Sequence, residues 1–311
     1  MTEPDPAGPF RHPIAPRTSK ILRAALLTLL LGLSTTVSSQ AESLYRYGFS
    51  KVLLSEVNEN DARAAIRTWV NMIANERGLP LEVLPVVFDD SQSLQHAIVE
   101  HELDGAAVTL YEYHQVRHEV DFDPFLTAAI ADHVGEQYVL LAHRDSPSNS
   151  LSNLRGRHLL IHSASRNCLA PLWLDVHLHQ HTHKTASDLF GKITEDTKLA
   201  NVILPVFFRQ AEACLVTRSG FMTMSELNPQ VAQQLVVLAE SELLIPVVYA
   251  FRADYNATVT KNIMTEMLNL NKHPAGQQLM NIFGADGLAV VPKSDLSPAL
   301  RLIDAYNALR E

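Results

Sequence analysis

The segment SASRN at 163–167 has the residue types of an anion-binding turn. Two hydroxyls, a guanidinium and free backbone N–H groups come together where the apolar stretch 158–162 leads into a predicted helix. A helix N-terminus favours negative charge, and a guanidinium binds an oxyanion more strongly than a neutral donor does. We therefore predict that Ser163, Ser165 and Arg166 contact an anion. The alternative is that a serine caps the helix while Arg166 points into solvent.

A second polar segment, Thr217-Arg218-Ser219, follows the apolar stretch 213–216. If both apolar stretches are parallel strands of one sheet, their carboxyl ends meet at the same edge, where α/β sheets bind ligands. We expect Thr217 and Arg218 to contact the same ligand. An ordinary helix cap at this position is the alternative.

The first half of the chain offers further donors at the ends of apolar stretches. Ser50 and Lys51 follow the stretch 44–49, and Thr109 and Tyr111 lie at the end of a later one. Tyrosine suits a cleft wall because its ring packs on apolar atoms while its hydroxyl donates a hydrogen bond. We predict that Ser50, Thr109 and Tyr111 bind the ligand. The alternatives are that Tyr111 is a half-buried helix residue and Lys51 a solvated surface charge.

The histidine run suggests a metal site but does not complete one. The run comprises His177, His179, His181 and His183, and on a helix it forms two pairs at the i, i+4 spacing of two-histidine zinc sites. Asp175 is the single carboxylate close by on the predicted helix, and there is no HExxH motif. A polar helix end, where cationic character is favoured, is the preferred interpretation, so we predict no metal.

Motifs of common enzymes are missing from the sequence. It has no GxSxG, no Walker-type glycine loop and no GxGxxG after the first predicted strand. We predict that the protein is not an enzyme and uses no cofactor.

The elements that position these residues alternate along the chain. Short apolar strands follow amphipathic helices throughout, which is typical of βαβ units and indicates an α/β fold with largely parallel sheets. The same order begins again near residue 151, after a loop rich in Ser, Pro and Asn at 144–150. We therefore expect two lobes, with the ligand beyond the carboxyl ends of their strands.

The N-terminal segment has the organisation of a secretory signal peptide. Arg17, Lys20 and Arg23 precede an apolar core of about ten residues at 24–33, and small polar residues lead to Ala41. We predict cleavage after Ala41 and export to the periplasm. The apolar core is too short for a membrane-spanning helix, which needs about 20 residues.

Charge and composition exclude several classes of partner. The chain carries a formal charge of −9, and residues 1–41 contribute +2 from four basic and two acidic residues, which leaves −11 for residues 42–311. Nucleic acid and anionic membrane surfaces are therefore not expected as partners. Hydrophobic content of 47% and charged content of 19% are typical of a globular protein.

The mature chain contains two cysteines, Cys168 and Cys214. An oxidising compartment would permit a disulfide between them. Two buried thiols that act as small hydrophobic groups are the alternative.

Fragments spread over the mature chain resemble the phosphonate, phosphite and phosphate-binding branch of ABC-importer solute receptors. In order they are YGFS at 47–50, LDGAAVTLYEY at 103–113, LSNLRGRHLLIHSASRN at 151–167, ACLVTRSGF at 213–221, ELNPQ at 226–230 and PAGQQLMNIF at 274–283. The resemblance implies a type II periplasmic binding fold, in which two doubly wound lobes are joined by two crossover strands. We assign residues 42–138 and 248–311 to lobe I and residues 139–247 to lobe II.

The resemblance also implies a function. It predicts a monomeric solute-binding protein that closes on a small oxyanion and delivers it to an ABC permease, with the serine-rich turn at 163–167 holding a phosphoryl or phosphonyl group. The family often carries an acidic residue near Thr217, where it could pair with a ligand amine. This sequence has Thr217 and Arg218 there, which disfavours an aminoalkylphosphonate. The alternative functions are a periplasmic ligand-sensing module of a signalling system and a metal-binding receptor.

Overall fold

The computed structural model describes residues 43–77, 81–130, 133–147 and 150–310. The predicted signal peptide and its cleavage site at Ala41 lie outside these residues. Across the described ranges, no helix combines the length and the apolar character needed to cross a membrane.

Strands and helices alternate along the described chain as the sequence predicts. The strands are β1 Ser43–Ser50, β2 Leu81–Phe88, β3 Gly105–Thr109, β4 Phe122–Ile130, β5 His133–Val134, β6 Tyr138–His143, β7 His158–His162, β8 Lys192–Asp196, β9 Ala213–Thr217, β10 Leu235–Glu240, β11 Val247–Arg252 and β12 Gly287–Val291. The helices are α1 Glu59–Arg77, α2 Ser91–Val99, α3 Leu110–Val116, α4 Ala170–Thr182, α5 Ala186–Leu189, α6 Leu199–Phe207, α7 Arg218–Leu227, α8 Pro229–Gln234, α9 Ala257–Leu268, α10 Pro274–Ile282 and α11 Ser297–Ala308. Short 3-10 helices span Lys51–Leu54, Leu151–Leu154, Ser165–Asn167, Leu270–Lys272 and Lys293–Leu296.

These strands form two sheets, each the centre of one lobe. The sheet of lobe I has the order β12-β4-β11-β3-β1-β2, with β5 paired to β4. The sheet of lobe II has the order β10-β6-β9-β7-β8. Strand β1 is parallel to β2 and β3, and β7 is parallel to β8 and β9, so the ends of these strands meet at one edge of each sheet. The α/β class with two such lobes is confirmed.

The sheets are mixed, which corrects the prediction that they are largely parallel. Strand β11 runs antiparallel to β3 and β4, and β6 runs antiparallel to β9 and β10. Strands β6 and β11 begin where the chain enters a lobe from the other one. They therefore start at the edge that faces the partner lobe and run against the parallel strands.

Alternating residues of the central strands pack on opposite faces of each sheet. Val108 of β3 belongs to a core that both lobes share, whereas its neighbour Ala107 packs on the other face of lobe I. In β9, Leu215 joins the shared core, and Val216 packs with Ile203 of α6 on the outer face of lobe II. This period of two gives every central strand two buried faces, as in a doubly wound sheet.

Two chain segments cross between the lobes, at residues 135–137 and 241–246. They pair with each other where the Glu136 N–H donates to Leu244 O at 2.7 Å and the Leu244 N–H donates to Glu136 O at 2.9 Å. Gly135, at the start of the first segment, has φ +83°, the left-handed region that glycine favours. The two crossings are thus held together as one narrow connection.

Besides the two-residue strand β5, two strands were not predicted. Strand β8 is a polar stretch, KITED, with little buried surface, so its apolar signal is weak. Strand β12 follows the helix α10 and pairs antiparallel with β4. Both are edge strands of their sheets, where pairing with a neighbour compensates for weak intrinsic preference.

Cys168 and Cys214 are free thiols. Burial raises the pKa of both, to about 12 for Cys168, where the nearby Glu112 carboxylate adds to the effect. Because the thiolate is the reactive form, we expect neither residue to react with Ellman's reagent in the folded protein and both to react in denaturant. Rapid labelling of the native protein, or a single disulfide detected by mass spectrometry, would contradict this.

Candidate functional site

A cavity of about 510 Å³ lies between the two lobes. On the lobe II side it is bounded by the segments that follow β7 and β9. On the lobe I side it is bounded by the 3-10 helix after β1, the end of β4 and the end of α10. The lining residues are Leu53, Glu56, Val57, Ile130, His162, Ala164, Ser165, Arg166, Asn167, Thr217, Ser219, Gly220, Thr223, Asn281, Ile282, Phe283 and Gly284.

The N-terminus of α7 forms one part of the lobe II wall. Thr217 caps this ten-residue helix, because its Oγ1 accepts a hydrogen bond from the Gly220 N–H at 3.0 Å. Ser219 Oγ lies 3.1 Å from Thr217 Oγ1. The buried strand β9 fixes the position of this helix start, which presents hydroxyls and the positive end of the helix dipole to the cavity.

Arg166 is the cationic group of the same wall. Its guanidinium forms an ion pair with Glu136, whose side chain is only 4% exposed and which lies on the first crossing segment. The other carboxylate oxygen of Glu136 lies 3.1 Å from Ser219 Oγ. Tyr138 also holds the turn, since its hydroxyl donates to Arg166 O at 2.9 Å. Arg166, Glu136 and Ser219 therefore connect the ligand wall of lobe II with the crossing between the lobes.

Further carboxylates surround Arg166. Burial lowers the pKa of its guanidinium, while Glu56 and Asp286 act in the opposite direction. Glu56 belongs to lobe I and reaches across the cavity, where it accepts hydrogen bonds from Ser165 N and Ser165 Oγ, each at 3.3 Å. An external oxyanion that binds Ser165 and Arg166 must compete with these carboxylates.

Two polar atoms on the lobe II wall have no hydrogen-bond partner among the described residues. They are Asn167 Oδ1 and His162 Nδ1, and both are buried. Asn167 is 2% exposed, and its other side-chain atom donates to His162 O at 2.7 Å. A buried polar atom without a partner costs about 1–3 kcal/mol, so these atoms are suited to a ligand that supplies the missing bonds.

The two walls of the cavity differ in character. Lobe II contributes mainly hydroxyls, an amide, an imidazole and a guanidinium. Lobe I contributes mainly apolar side chains: Leu53, Val57, Ile130, Ile282 and Phe283. The arrangement fits a molecule with a polar head against lobe II and an apolar part against lobe I.

The structure brings three of the predicted ligand residues, Ser165, Arg166 and Thr217, to this cavity. Ser163 lies outside it, on a surface pocket with Glu195 and Lys198, because its N–H donates to Asp196 O at the end of β8. Arg218 does not line the cavity either. Its guanidinium pairs with Glu240 at 3.0 Å, a partner on the strand β10.

Ser50, Thr109 and Tyr111 are not among the lining residues of the cavity. Ser50 and Thr109 are buried, and their hydroxyls donate to the carboxylate of Glu112 at 2.8 and 2.9 Å. Tyr111 is half-buried against the core that the lobes share, which is the position that the alternative reading gave it. The hydroxyls of Ser50 and Thr109 in lobe I therefore donate to a carboxylate of the protein itself.

The histidine run lies on α4 and forms ring contacts. His177 stacks on Trp173 at 5.5 Å between ring centroids, and its centroid is 4.3 Å from that of His181. His179 and His183 are 6.0 Å apart. No group of three or more His, Cys, Asp or Glu side chains in the described part of the chain has an arrangement that could hold a metal ion.

The position of His177 makes stability depend on pH. Burial lowers its pKa, and His181 lowers it further, so the folded protein takes up a proton on His177 less readily than the unfolded chain. Stability is therefore lost as the pH falls below about 6.5, the ordinary pKa of histidine. His158, whose pKa is lowered mainly by burial, acts in the same direction. We expect Tm to fall between pH 7.5 and 5.5, and to fall less in His177→Gln.

The matched control for that measurement is His179→Gln, because His179 is exposed on the same helix. Its ring is in contact with water in both states, so its removal should cost little stability. Equal pH dependence in the wild type and His177→Gln would contradict the prediction.

The sequence did not identify several residues of this site. Glu136 lies 30 positions before Arg166, and no motif surrounds it. Glu56 has the sequence context of an ordinary acidic residue on the surface. The segment at 281–284 lies more than 60 positions after Thr217 and reaches the cavity only because α10 packs on lobe I. Asn167 is within the predicted turn at 163–167. Its position beside Ser165 and Arg166 was the signal that could have identified it as a residue of the site.

Comparison with known proteins agrees with this fold. A protein from Xanthomonas citri, XAC2383, solved with ATP, has TM-score 0.59 and 14% identity, over 86% of this chain and 98% of that one. PhnD1 from Prochlorococcus marinus, solved with methylphosphonate, has TM-score 0.57 and 12% identity, over 86% and 99%. A binding-protein component of an ABC phosphonate transporter from Pseudomonas aeruginosa has TM-score 0.56 and 13% identity, over 86% and 87%.

Sequence comparison gives the family. No curated protein matches the sequence significantly. The family model for the periplasmic phosphonate substrate-binding protein of ABC transporters matches residues 52–296, which include every described strand after β1 and every residue that lines the cavity. With two α/β lobes around a ligand-sized cavity, the chain belongs to the phosphonate family of periplasmic substrate-binding proteins of ABC transporters.

Proposed function

We propose that this protein binds a small organic oxyanion, of the phosphonate type, in the cavity between its lobes and delivers it unchanged to an ABC importer. The observation that carries the proposal is the lobe II wall, where Arg166 lies beside the hydroxyls at the N-terminus of α7. Charge-assisted hydrogen bonds and the helix dipole stabilise an oxyanion there. The net charge of the chain is negative, so the selectivity for anions is local.

The apolar wall of lobe I favours an oxyanion with a small organic substituent over inorganic phosphate. Leu53, Val57 and Phe283 offer contact to carbon atoms but no donors. The structure of the Prochlorococcus protein with methylphosphonate is consistent with such a ligand for a protein of this fold.

Delivery requires that the permease can distinguish the occupied protein. A ligand that contacts both lobes stabilises the closed arrangement, because only there do both walls reach it. The paired crossings at Glu136 and Leu244 would act as the hinge. In this proposal the protein is exported by the signal peptide, cleaved after Ala41, and works as a monomer with lobe boundaries near residues 138 and 248.

Calorimetric titration and thermal unfolding with phosphate, phosphite, methylphosphonate and sulfate test the proposal. We expect methylphosphonate to bind most tightly and to raise Tm. Thr217→Val should weaken binding about tenfold, because it removes a hydroxyl that a bound anion would share.

The matched control is Ser163→Ala, which removes a hydroxyl of the turn after β7 that lies outside the cavity. The affinity of Ser163→Ala for methylphosphonate should equal that of the wild type. If none of the four anions raised Tm or gave a titration signal, the oxyanion function would be abandoned while the family assignment would stand.

A further inference from the structure

The carboxylate of Glu112 is held by four donors of lobe I. Ser50 Oγ and Ser91 Oγ donate to one oxygen at 2.8 and 2.7 Å, and Thr109 N and Thr109 Oγ1 donate to the other, each at 2.9 Å. Ser50 ends β1, Thr109 ends β3 and Ser91 begins α2, directly after the loop that follows β2. Three neighbouring chain segments therefore direct donors to one point at the ligand-binding edge of the lobe I sheet.

Helix capping explains only part of this arrangement. Thr109 and Glu112 form a capping box at the start of α3, which uses the two groups of Thr109. Thr185 and Asp188 form the same motif at α5, where one oxygen of Asp188 accepts hydrogen bonds from Thr185 N and Thr185 Oγ1, at 3.2 and 2.7 Å. The hydroxyls of Ser50 and Ser91 are additional, and Glu112 is only 3% exposed whereas Asp188 lies on the surface.

We propose that Glu112 is a tethered anion that fills an oxyanion-binding cradle of lobe I, formed by Ser50, Ser91 and Thr109, and so prevents this lobe from taking an external oxyanion. Two hydroxyls on one oxygen, and a hydroxyl and an N–H on the other, are the donor set that a bound carboxylate or phosphoryl group requires. Buried hydrogen bonds to a charged acceptor are strong because little water competes.

A consequence for the ligand, which rests on the proposed function, is that its oxyanion contacts lobe II. With the donors of lobe I occupied and a negative charge fixed among them, lobe I presents its apolar residues to the cavity. Glu112 would thus determine which end of the ligand each lobe receives.

Glu112→Ala tests the cradle, because the atoms that it removes are those of acetate. We expect this variant to have a lower Tm than the wild type. Sodium acetate and sodium formate should raise its Tm by at least about 2 °C more than sodium chloride at equal ionic strength. The wild type and Glu112→Gln, in which the cradle stays filled, should respond to acetate as they respond to chloride.

The control for capping alone is Asp188→Ala, which removes the acid of the other capping box and should gain no response to acetate. If Glu112→Ala responds to acetate and formate no more than to chloride, the proposal is wrong. Should Glu112→Ala fail to fold, its refolding yield is compared in acetate and in chloride. A higher yield in acetate supports the cradle, and equal yields overturn it.

These readouts are independent of the natural ligand. Failure of the wild type to bind any oxyanion would remove the proposed function but leave the response of Glu112→Ala to acetate intact. A missing acetate response with normal methylphosphonate binding would remove only the cradle.

Discussion

Arg166→Ala is expected to lower the free energy of unfolding by about 3–5 kcal/mol, because it leaves a buried carboxylate without its counterion. The side chain of Glu136 is 4% exposed, and apart from Arg166 it contacts the hydroxyl of Ser219. A hydroxyl does not replace a guanidinium as the partner of a buried charge. Urea unfolding at pH 7 measures the loss, and oxyanion binding should be lost in the same variant.

Arg218→Ala is the matched control, since Arg218 also forms an ion pair in lobe II. Its side chain is 42% exposed and that of its partner Glu240 is 32% exposed, so water compensates for the loss. We expect a change of less than about 1 kcal/mol. Adding Glu136→Gln to Arg166→Ala should recover part of the stability, because it removes the unpaired charge. Equal losses for Arg166→Ala and Arg218→Ala would show that the pair is not effectively buried.

Gly135→Ala is expected to destabilise the protein by at least about 2 kcal/mol and to weaken ligand binding. Gly135 has φ +83°, and a Cβ atom added there would lie 2.8 Å from Leu244 O. That oxygen cannot move away easily, because it accepts the Glu136 N–H that joins the two crossings at 2.7 Å. Relief of the clash would therefore separate the crossings and change the relation between the lobes. Chemical unfolding and calorimetric titration measure the two effects.

Gly156→Ala provides the comparison, because Gly156 also has positive φ, +74°, but an added Cβ would meet nothing within 4 Å. It should cost only the backbone strain, about 1–2 kcal/mol, and leave ligand affinity unchanged. The entropy lost by the unfolded chain on replacing glycine with alanine is common to both variants and cancels. The steric argument fails if Gly135→Ala is no less stable than Gly156→Ala.

The fold class and the most polar part of the cavity could be predicted from sequence because they depend on local patterns. The alternation of short apolar stretches with amphipathic helices indicated the two lobes. The spacing of apolar residues along a segment reflects which of its faces is buried, and this spacing can be seen in the sequence. Residues at the end of β9 and a few positions after β7 were good candidates because parallel strands bring their ends to one edge. Ser165, Arg166 and Thr217 lie at the cavity for this reason.

The partners of those residues were decided by the tertiary structure. The pairing of Arg166 with Glu136, the reach of Glu56 to Ser165 and the placement of 281–284 at the cavity depend on how the lobes meet. In lobe I, the expectation that residues after strands face the ligand selected Ser50 and Thr109, which are hydrogen-bond donors. Both of them donate to Glu112. A sequence shows which groups can donate, whereas the acceptor that they meet is set by distances of a few ångströms between segments far apart in the chain.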